Sequence, residues 1–310
     1  MDRLDPAPAG QRSSLDPRLL RTFLAVCEQG SISGAARALG VSQPSVSVAV
    51  AQLERRVGAA LFERSRQGIT LSNEGVALRQ HAETLEVLLR DAQASVALAS
   101  QGVRGPLRIG GTPGALVSLV PAAIARMEEG GSRFSLQIVE KPDGDLAELL
   151  RSGRIEVAVA TTALDAPPPD IIERSIARDP FALIVGRAHD RLAASISLRD
   201  TAGFGWVLPH AAGAFHRQIE ALFLAAQVPA PADVIRCDSL LTSKAIVRAG
   251  RRVTVLPRGV VAAELAAGEL RALPITDAEI IRTIGVRTFA GRRLSPLAAA
   301  FVEGVVSTNP

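Results

Sequence analysis

The chain has 310 residues, 47% hydrophobic and 21% charged, with a formal net charge of +4. That length covers two or three domains of ordinary size, and the composition excludes a mostly disordered or collagen-like chain. Nine Phe, one Trp and no Tyr argue against base-stacking platforms for single-stranded nucleic acid, while the mild positive charge permits a nucleic-acid partner without requiring one.

Residues 1–14 (MDRLDPAPAGQRSS) are polar and rich in Pro and Ala. Without an apolar run they read as a disordered tail rather than a secretory leader. No stretch approaches the ~18 apolar residues of a membrane span. The expectation is a cytoplasmic protein with no membrane partner. Cys27 and Cys237 stand far apart without metal-ligand spacing, as reduced, buried thiols would.

The first helix should run over 16–29, with Asp16 as N-cap and Pro17 at its first position. Leu19, Leu20, Phe23, Leu24 and Cys27 form one apolar stripe. Ser33 is placed to cap a short second helix, 34–39, closed by Gly40. Ser42 should cap a third helix reaching about Val57, with Val46, Val50, Leu53 and Val57 on its inner face. Pro44 is tolerated in the first turn, where backbone N–H groups have no helical partner. Two short capped helices joined by Gly40-Val41-Ser42 describe a helix-turn-helix. Residues 65–72 then suit a two-stranded wing turning at Gln67-Gly68. Residues 73–100 read as one long helix, where Leu78, Leu85, Ala92 and Ala99 repeat every seven residues. Such a seam calls for a second subunit, or for packing on its own domain. Residues 101–106 read as a hinge.

From Leu107 the texture becomes alternating strands and helices. Strands are expected at 107–109, 136–139, 157–160, 181–185, 206–208, 234–236, 253–256, 270–273 and 281–286. Helices are expected at 114–128, 144–151, 213–226, 239–249, 258–267 and 295–306. This implies an α/β architecture with mainly parallel sheets after an all-α N-terminal part. About 200 residues, with a Pro- and Asp-rich stretch near 165–170, suit two lobes with a cleft between them.

Residues 19–75 closely resemble the N-terminal winged helix-turn-helix of LysR-type transcriptional regulators. SISGAARALGVSQPSVS, QLERRVGAALFER and ITLSNEG carry the resemblance in order. GPLRIG, LLRSGRIEVAVA and the block from Ala249 to Pro257 match more loosely. The resemblance implies a DNA-binding domain over 15–72, a dimerising linker helix over 73–100, and a two-lobed effector domain of the periplasmic-binding-protein type over 107–310. Lobe I would take about 107–178 and 284–306, and lobe II about 179–283. It further implies a homodimer or homotetramer on double-stranded DNA, with RNA polymerase as partner if the protein activates. Two departures stand out. Val48 occupies a position where many members carry Arg, and Arg251-Arg252 replaces small apolar residues.

For duplex DNA, Ser42, Gln43, Pro44, Ser45 and Ser47 are base or phosphate candidates. Gln43 suits adenine N6/N7 and Pro44 a thymine methyl. Their plainer roles are capping and solvation. Arg55, Arg56, Arg64 and Arg66 are phosphate candidates, with Arg66 suited to the minor groove. Residues 15–75 carry seven basic and five acidic side chains, so binding should need two or more copies. For a small-molecule effector, an organic anion by this reading, Gly111, Thr112 and Pro113 follow a strand and open a helix. An ordinary strand-to-helix turn is the alternative. Thr161, Thr162, His210, Asp238 and Ser239 end other strands; His210 equally suits an exposed or capping role. No cofactor or metal is expected, since His81, His189, His210 and His216 lack metal-site spacing. Hydrolase, Walker A and CxxC motifs are missing, which disfavours an enzyme. A transporter's solute-binding protein would explain only the second half.

Overall fold

The structure is a computed structural model that describes residues 15–65, 68–210 and 213–308. The expected tail 1–14, and Arg66 with Gln67 of the wing, lie outside the described residues. The chain divides into two compact units, residues 1–93 and 94–310.

The first unit opens with three helices, α1 (Pro17–Gln29), α2 (Ile32–Leu39) and α3 (Gln43–Val57). Their ends follow the capping chemistry. Asp16 accepts the N–H of Arg18, and Ser42 accepts that of Ser45. The second cap differs from the sequence expectation. Ser31, not Ser33, accepts the N–H of Gly34, so α2 begins two residues earlier. Gly40 ends α2 at φ 66°, a left-handed conformation that side chains with a Cβ adopt only at a cost. Ala35 and Ala36 pack with Val46 and Val50, so small residues set how closely α2 approaches α3. Phe23, Leu53 and Leu61 close the larger core.

Strands β1 (Phe62–Ser65) and β2 (Gly68–Leu71) pair antiparallel, with Ser65 opposite Gly68. The wing thus starts three residues earlier than expected, and Gly68 is a strand residue rather than a turn residue. Two local ties explain the blocks around it. Glu54 accepts the N–H of Leu61 at 2.9 Å, anchoring the loop after α3. Ser72 donates to the Ala60 carbonyl and accepts the N–H of Gly75. A Cβ at Gly75 would lie 2.1 Å from the Leu61 carbonyl oxygen, so only glycine fits there. Helix α4 (Asn73–Ala99) follows. Leu78 and Leu85 of its heptad pack on the first unit's own core, while Leu88 and Val96 stay exposed. Cys27 is half-buried, and burial pushes its thiol up to about 11.

The second unit contains β3 (Arg104–Gly111), α5 (Pro113–Glu129), β4 (Phe134–Glu140), α6 (Asp143–Arg151), β5 (Val157–Thr162) and β6 (Ile171–Gly186). These lead to β7 (Trp206–Leu208), α7 (Ala214–Ala225), β8 (Val234–Arg236), α8 (Leu240–Ala249) and β9 (Thr254–Pro257). The chain closes with α9 (Ala262–Ala266), β10 (Leu270–Leu273), β11 (Ile281–Phe289) and α10 (Pro296–Ser307). Strand β3 already starts inside the stretch read as a hinge. A 3-10 turn, Arg258–Val261, replaces the first part of the helix expected at 258–267.

Two lobes form around two sets of core residues. In the first, β4, β3, β5, β11 and the leading part of β6 lie side by side, and α5 and α10 bury Leu119 and Phe301 against them. In the second, β6 continues from Phe181 between β9 and β10. Trp206 sits at the centre of that core, edge-on to Phe223 at 5.3 Å. The sheets are less parallel than expected. Strands β3, β4 and β5 are parallel, as are β7 and β8, but every pairing of β6 and β11 with its neighbours is antiparallel. β6 and β11 carry the chain between lobes in opposite directions, which makes their own pairing antiparallel.

The strand expected at 181–185 is longer than that: β6 begins at Ile171, although IIERSIARDP is charged and contains Pro180. Its ladder to β11 runs from Ile171 opposite Phe289 to Pro180 opposite Ile281. Of the two unusual arginines, Arg252 bonds the Asp233 carboxylate at 2.9 Å and the Trp206 carbonyl at 3.2 Å. It is an internal tie within lobe II.

Candidate functional sites

The first site is the outward face of the helix-turn-helix. Helix α3 buries Val46, Val50 and Leu53, which leaves residues 42–45, 47 and 48 facing out. Ser42 Oγ accepts the Ser45 N–H at 3.3 Å and lies 2.8 Å from the Ser45 hydroxyl, so the capping role of Ser42 is met within the protein. Gln43 Oε1 accepts the Ser33 hydroxyl at 3.2 Å. That contact fixes the amide's orientation while its N–H groups stay available as donors. Pro44 and Ser47 are exposed, as is Val48. Arg55 and Arg56 lie exposed in the last turn of α3, where positive charge complements the helix dipole. Arg64 lies on β1; its side chain and all of Arg66 fall outside the described residues.

The second site is a cavity of about 440 Å³ between the lobes of the second unit. Thr112 and Pro113, where β3 passes into α5, form one wall, with Thr161 from the end of β5 beside them. Thr112 is the N-cap residue of α5, but its side chain makes no capping bond. Pro113 carries no N–H, the Thr112 N–H goes to the Val159 carbonyl, and those of Ala115 and Leu116 go to the Thr112 carbonyl, so at this terminus the Gly114 N–H and the Thr112 hydroxyl are the donors left for an anion. Lys141, after β4, stands at the same wall and is exposed. Lobe II contributes His216, Gln218, Cys237 and Asp238.

Several expected residues sit elsewhere. Gly111 is not among the lining residues; its carbonyl accepts the Lys141 N–H, and the chain of β5 packs where a side chain would stand. Thr162 is 1% exposed and bonded to Ser175 at 2.9 Å. A strand alternates its faces, so only one of Thr161 and Thr162 reaches the cavity. Ser239 is spent as the N-cap of α8. His210 is exposed, and its backbone N–H holds Asp238 Oδ1 at 2.7 Å. His216 lines the cavity in its place, 3.2 Å from Glu220.

Arg282 was not legible as a site residue. Only 5% exposed, it lines the cavity from the start of β11. Its guanidinium bonds Asp179 at 2.8 Å, the Ser118 hydroxyl at 3.0 Å and the Gly114 carbonyl at 3.2 Å. Asp179 in turn accepts the N–H of Gly259 at 2.9 Å. Burial pulls the guanidinium below its ordinary value, and the facing carboxylate opposes that pull. A second arginine, Arg287, joins Glu173 (2.7 Å), Asp143 (2.9 Å) and the Thr161 carbonyl (2.9 Å). Both arginines are neutralised by their carboxylates. Lys141 appears in no ion pair among the described residues.

Two family models match. Residues 17–76 match a bacterial regulatory helix-turn-helix protein of the lysR family, and residues 100–308 a LysR substrate binding domain. The HTH-type transcriptional regulator PcaQ of Agrobacterium fabrum is 27% identical over 270 residues, 87% of each chain. Full-length CbnR complexed with its target DNA has a similar fold at a TM-score of 0.66 and 22% identity, covering 95% of this chain and 100% of that one. The regulator LysG from Corynebacterium glutamicum, with bound effector Arg, is similar at 0.60 and 23%, covering 95% and 98%. Among the described residues no cluster could hold a metal ion, and no helix is long and apolar enough to cross a membrane.

Proposed function

Because the chain belongs to the LysR family of transcriptional regulators, and is therefore a DNA-binding regulator with an effector-binding domain rather than an enzyme, we propose specific roles for its two sites. The outward face of α3 enters the major groove, with Gln43 and Ser47 at base edges and Ser42, Ser45, Arg55, Arg64 and Arg66 toward phosphates. The exposed Leu88 and Val96 of α4 pair with a second copy, giving a homodimer or higher oligomer on a two-fold related site. The domain limits proposed are 15–72 for DNA binding, 73–100 for the linker helix and 107–310 for the effector domain. The protein works in the cytoplasm, and meets RNA polymerase if it activates.

The cavity takes a small organic anion. The observation that carries this reading is the α5 N-terminus, with the uncapping Thr112 hydroxyl and Lys141 on the same wall of a 440 Å³ space. Its volume is that of an ordinary small-molecule site. Effector binding acts by preferring one arrangement of the lobes over another, and so biases the oligomer on DNA. Thermal shift against a panel of organic acids, sugars and amino acids tests it. An acid should raise the unfolding midpoint of the wild type, and the rise should vanish in Thr112→Val while DNA binding persists. A panel in which only neutral sugars or cations stabilise the protein would overturn the anion reading. In gel shifts with DNA upstream of the protein's own gene, Gln43→Ala should lose about 1–3 kcal/mol of discrimination at one base pair per half-site. An equal loss on all sequences would remove Gln43 from base reading.

A further inference from the structure

We propose that Val48 reads the C5-methyl group of a pyrimidine in the major groove, and so makes that methyl part of the operator code. The inference rests on the DNA-binding reading and names a specificity residue within it. Val48 is 62% exposed, although α3 already buries Val46, Val50 and Leu53 on its inner side. At about 100° per residue, position 48 lies opposite positions 46 and 50, so nothing in the protein's own core accounts for a valine there. Pro44, one turn earlier, and Ala51, one turn later, are exposed on the same face. Val41, in the turn before α3, is 49% exposed. The outward face thus carries an apolar strip, with Ser47 and Gln43 along one side of it and Ser45 along the other.

Such a strip has few partners in a groove. Base edges there carry hydrogen-bond donors and acceptors, and a valine pressed on those leaves them unpaired. The C5-methyl of thymine is the apolar group the major groove offers, and 5-methylcytosine presents the same group. A β-branched side chain in a helix holds essentially one χ1 rotamer, so Val48 presents its methyls with little ordering cost. Gln43 and Ser47, with their polar ends, supply hydrogen-bonded readout at neighbouring pairs.

The test starts from duplexes selected out of a randomised pool by the full-length protein. Each thymine of the selected site is then replaced by deoxyuridine, which removes only the methyl. Wild type should lose about fourfold in affinity at one thymine per bound copy, the worth of one buried methyl group. Val48→Ala should bind the thymine and deoxyuridine duplexes equally at that position, with an unchanged unfolding midpoint. With a C·G pair placed there, 5-methylation of the cytosine should strengthen wild-type binding about fourfold and leave Val48→Ala unaffected. A thymine response that 5-methylcytosine does not reproduce would confine the contact to A·T pairs and overturn the shared methyl code. A deoxyuridine penalty that survives in Val48→Ala assigns the methyl to Pro44 or Val41, and the lack of any penalty removes it altogether. Failure to select any sequence would instead break the DNA-binding reading on which the inference rests.

Discussion

The helix-turn-helix and the inter-lobe cavity are built at opposite ranges along the chain. In the first, the deciding contacts are local: Asp16 to Arg18, Ser31 to Gly34, Ser42 to Ser45, and Gln43 to Ser33 ten residues away. Its outward face is a nearly unbroken run, 42–48. In the second, Arg282 reaches Asp179 across 103 residues and Ser118 across 164. Arg287 reaches Asp143 across 144. A reading surface can be written in consecutive residues because a helix spaces them for the groove. A closed cavity needs walls on several elements, and charge placed inside it needs partners from whichever element passes nearby.

The largest test of this contrast removes a long-range tie. Arg282→Ala strands Asp179 without its cation and should cost about 3–5 kcal/mol in the second unit. The joint change Arg282→Met with Asp179→Leu should recover most of it, since matched apolar replacement of a buried pair is often neutral. Urea unfolding of the three variants measures both. An equally large loss in the joint variant would show that the Ser118 and Gly114 bonds matter more than the charge pair. Helicity of the first unit should survive throughout.

A smaller effect sharpens the local side. Ser31→Ala should cost about 1 kcal/mol, the usual worth of an N-cap. Ser33→Ala should stay within roughly ±0.5 kcal/mol of wild type, as surface changes do. The reverse order in thermal midpoints would restore Ser33 as the cap and shift the start of α2.

The smallest effect concerns pH. Burial works against the Asp277 charge. The Ser197 hydroxyl and the N–H groups of Leu198 and Arg199 outweigh it and hold the carboxyl below its ordinary value. A depressed carboxyl stabilises the fold above its unfolded value, near 3.9, and that stability is lost as pH falls through the folded value. The advantage of wild type over Asp277→Asn should therefore be full at about pH 7 and shrink below about pH 4. Urea midpoints at both pH values check it, and a difference that does not change with pH would remove the carboxylate charge from the account.

The parts that were legible share one property: their cause is close in sequence. Helix α1, the Gly40 turn, the Ser42 cap and the short apolar strands β7, β8 and β10 follow from capping, glycine conformation and hydrophobic runs. The Ser33 cap failed narrowly, because two serines compete within three residues and only the backbone path picks one. Part of the α4 heptad is taken up inside the protein, where Leu78 and Leu85 pack on the first unit's own core, while Leu88 and Val96 stay exposed.

By itself the sequence determined the reading head, the order of the elements and the α/β character of the second half. Tertiary structure alone decided that 171–180 is a strand. Glu173 and Asp179 look like loop residues until Arg287 and Arg282 neutralise them from β11. It also decided which of Thr161 and Thr162 faces the cavity, that His216 lines it in the place expected of His210, and that a buried arginine forms part of its wall. Charge inside a protein is tolerated only where a partner is brought to it, and that partner is placed by the fold rather than by the neighbouring residues.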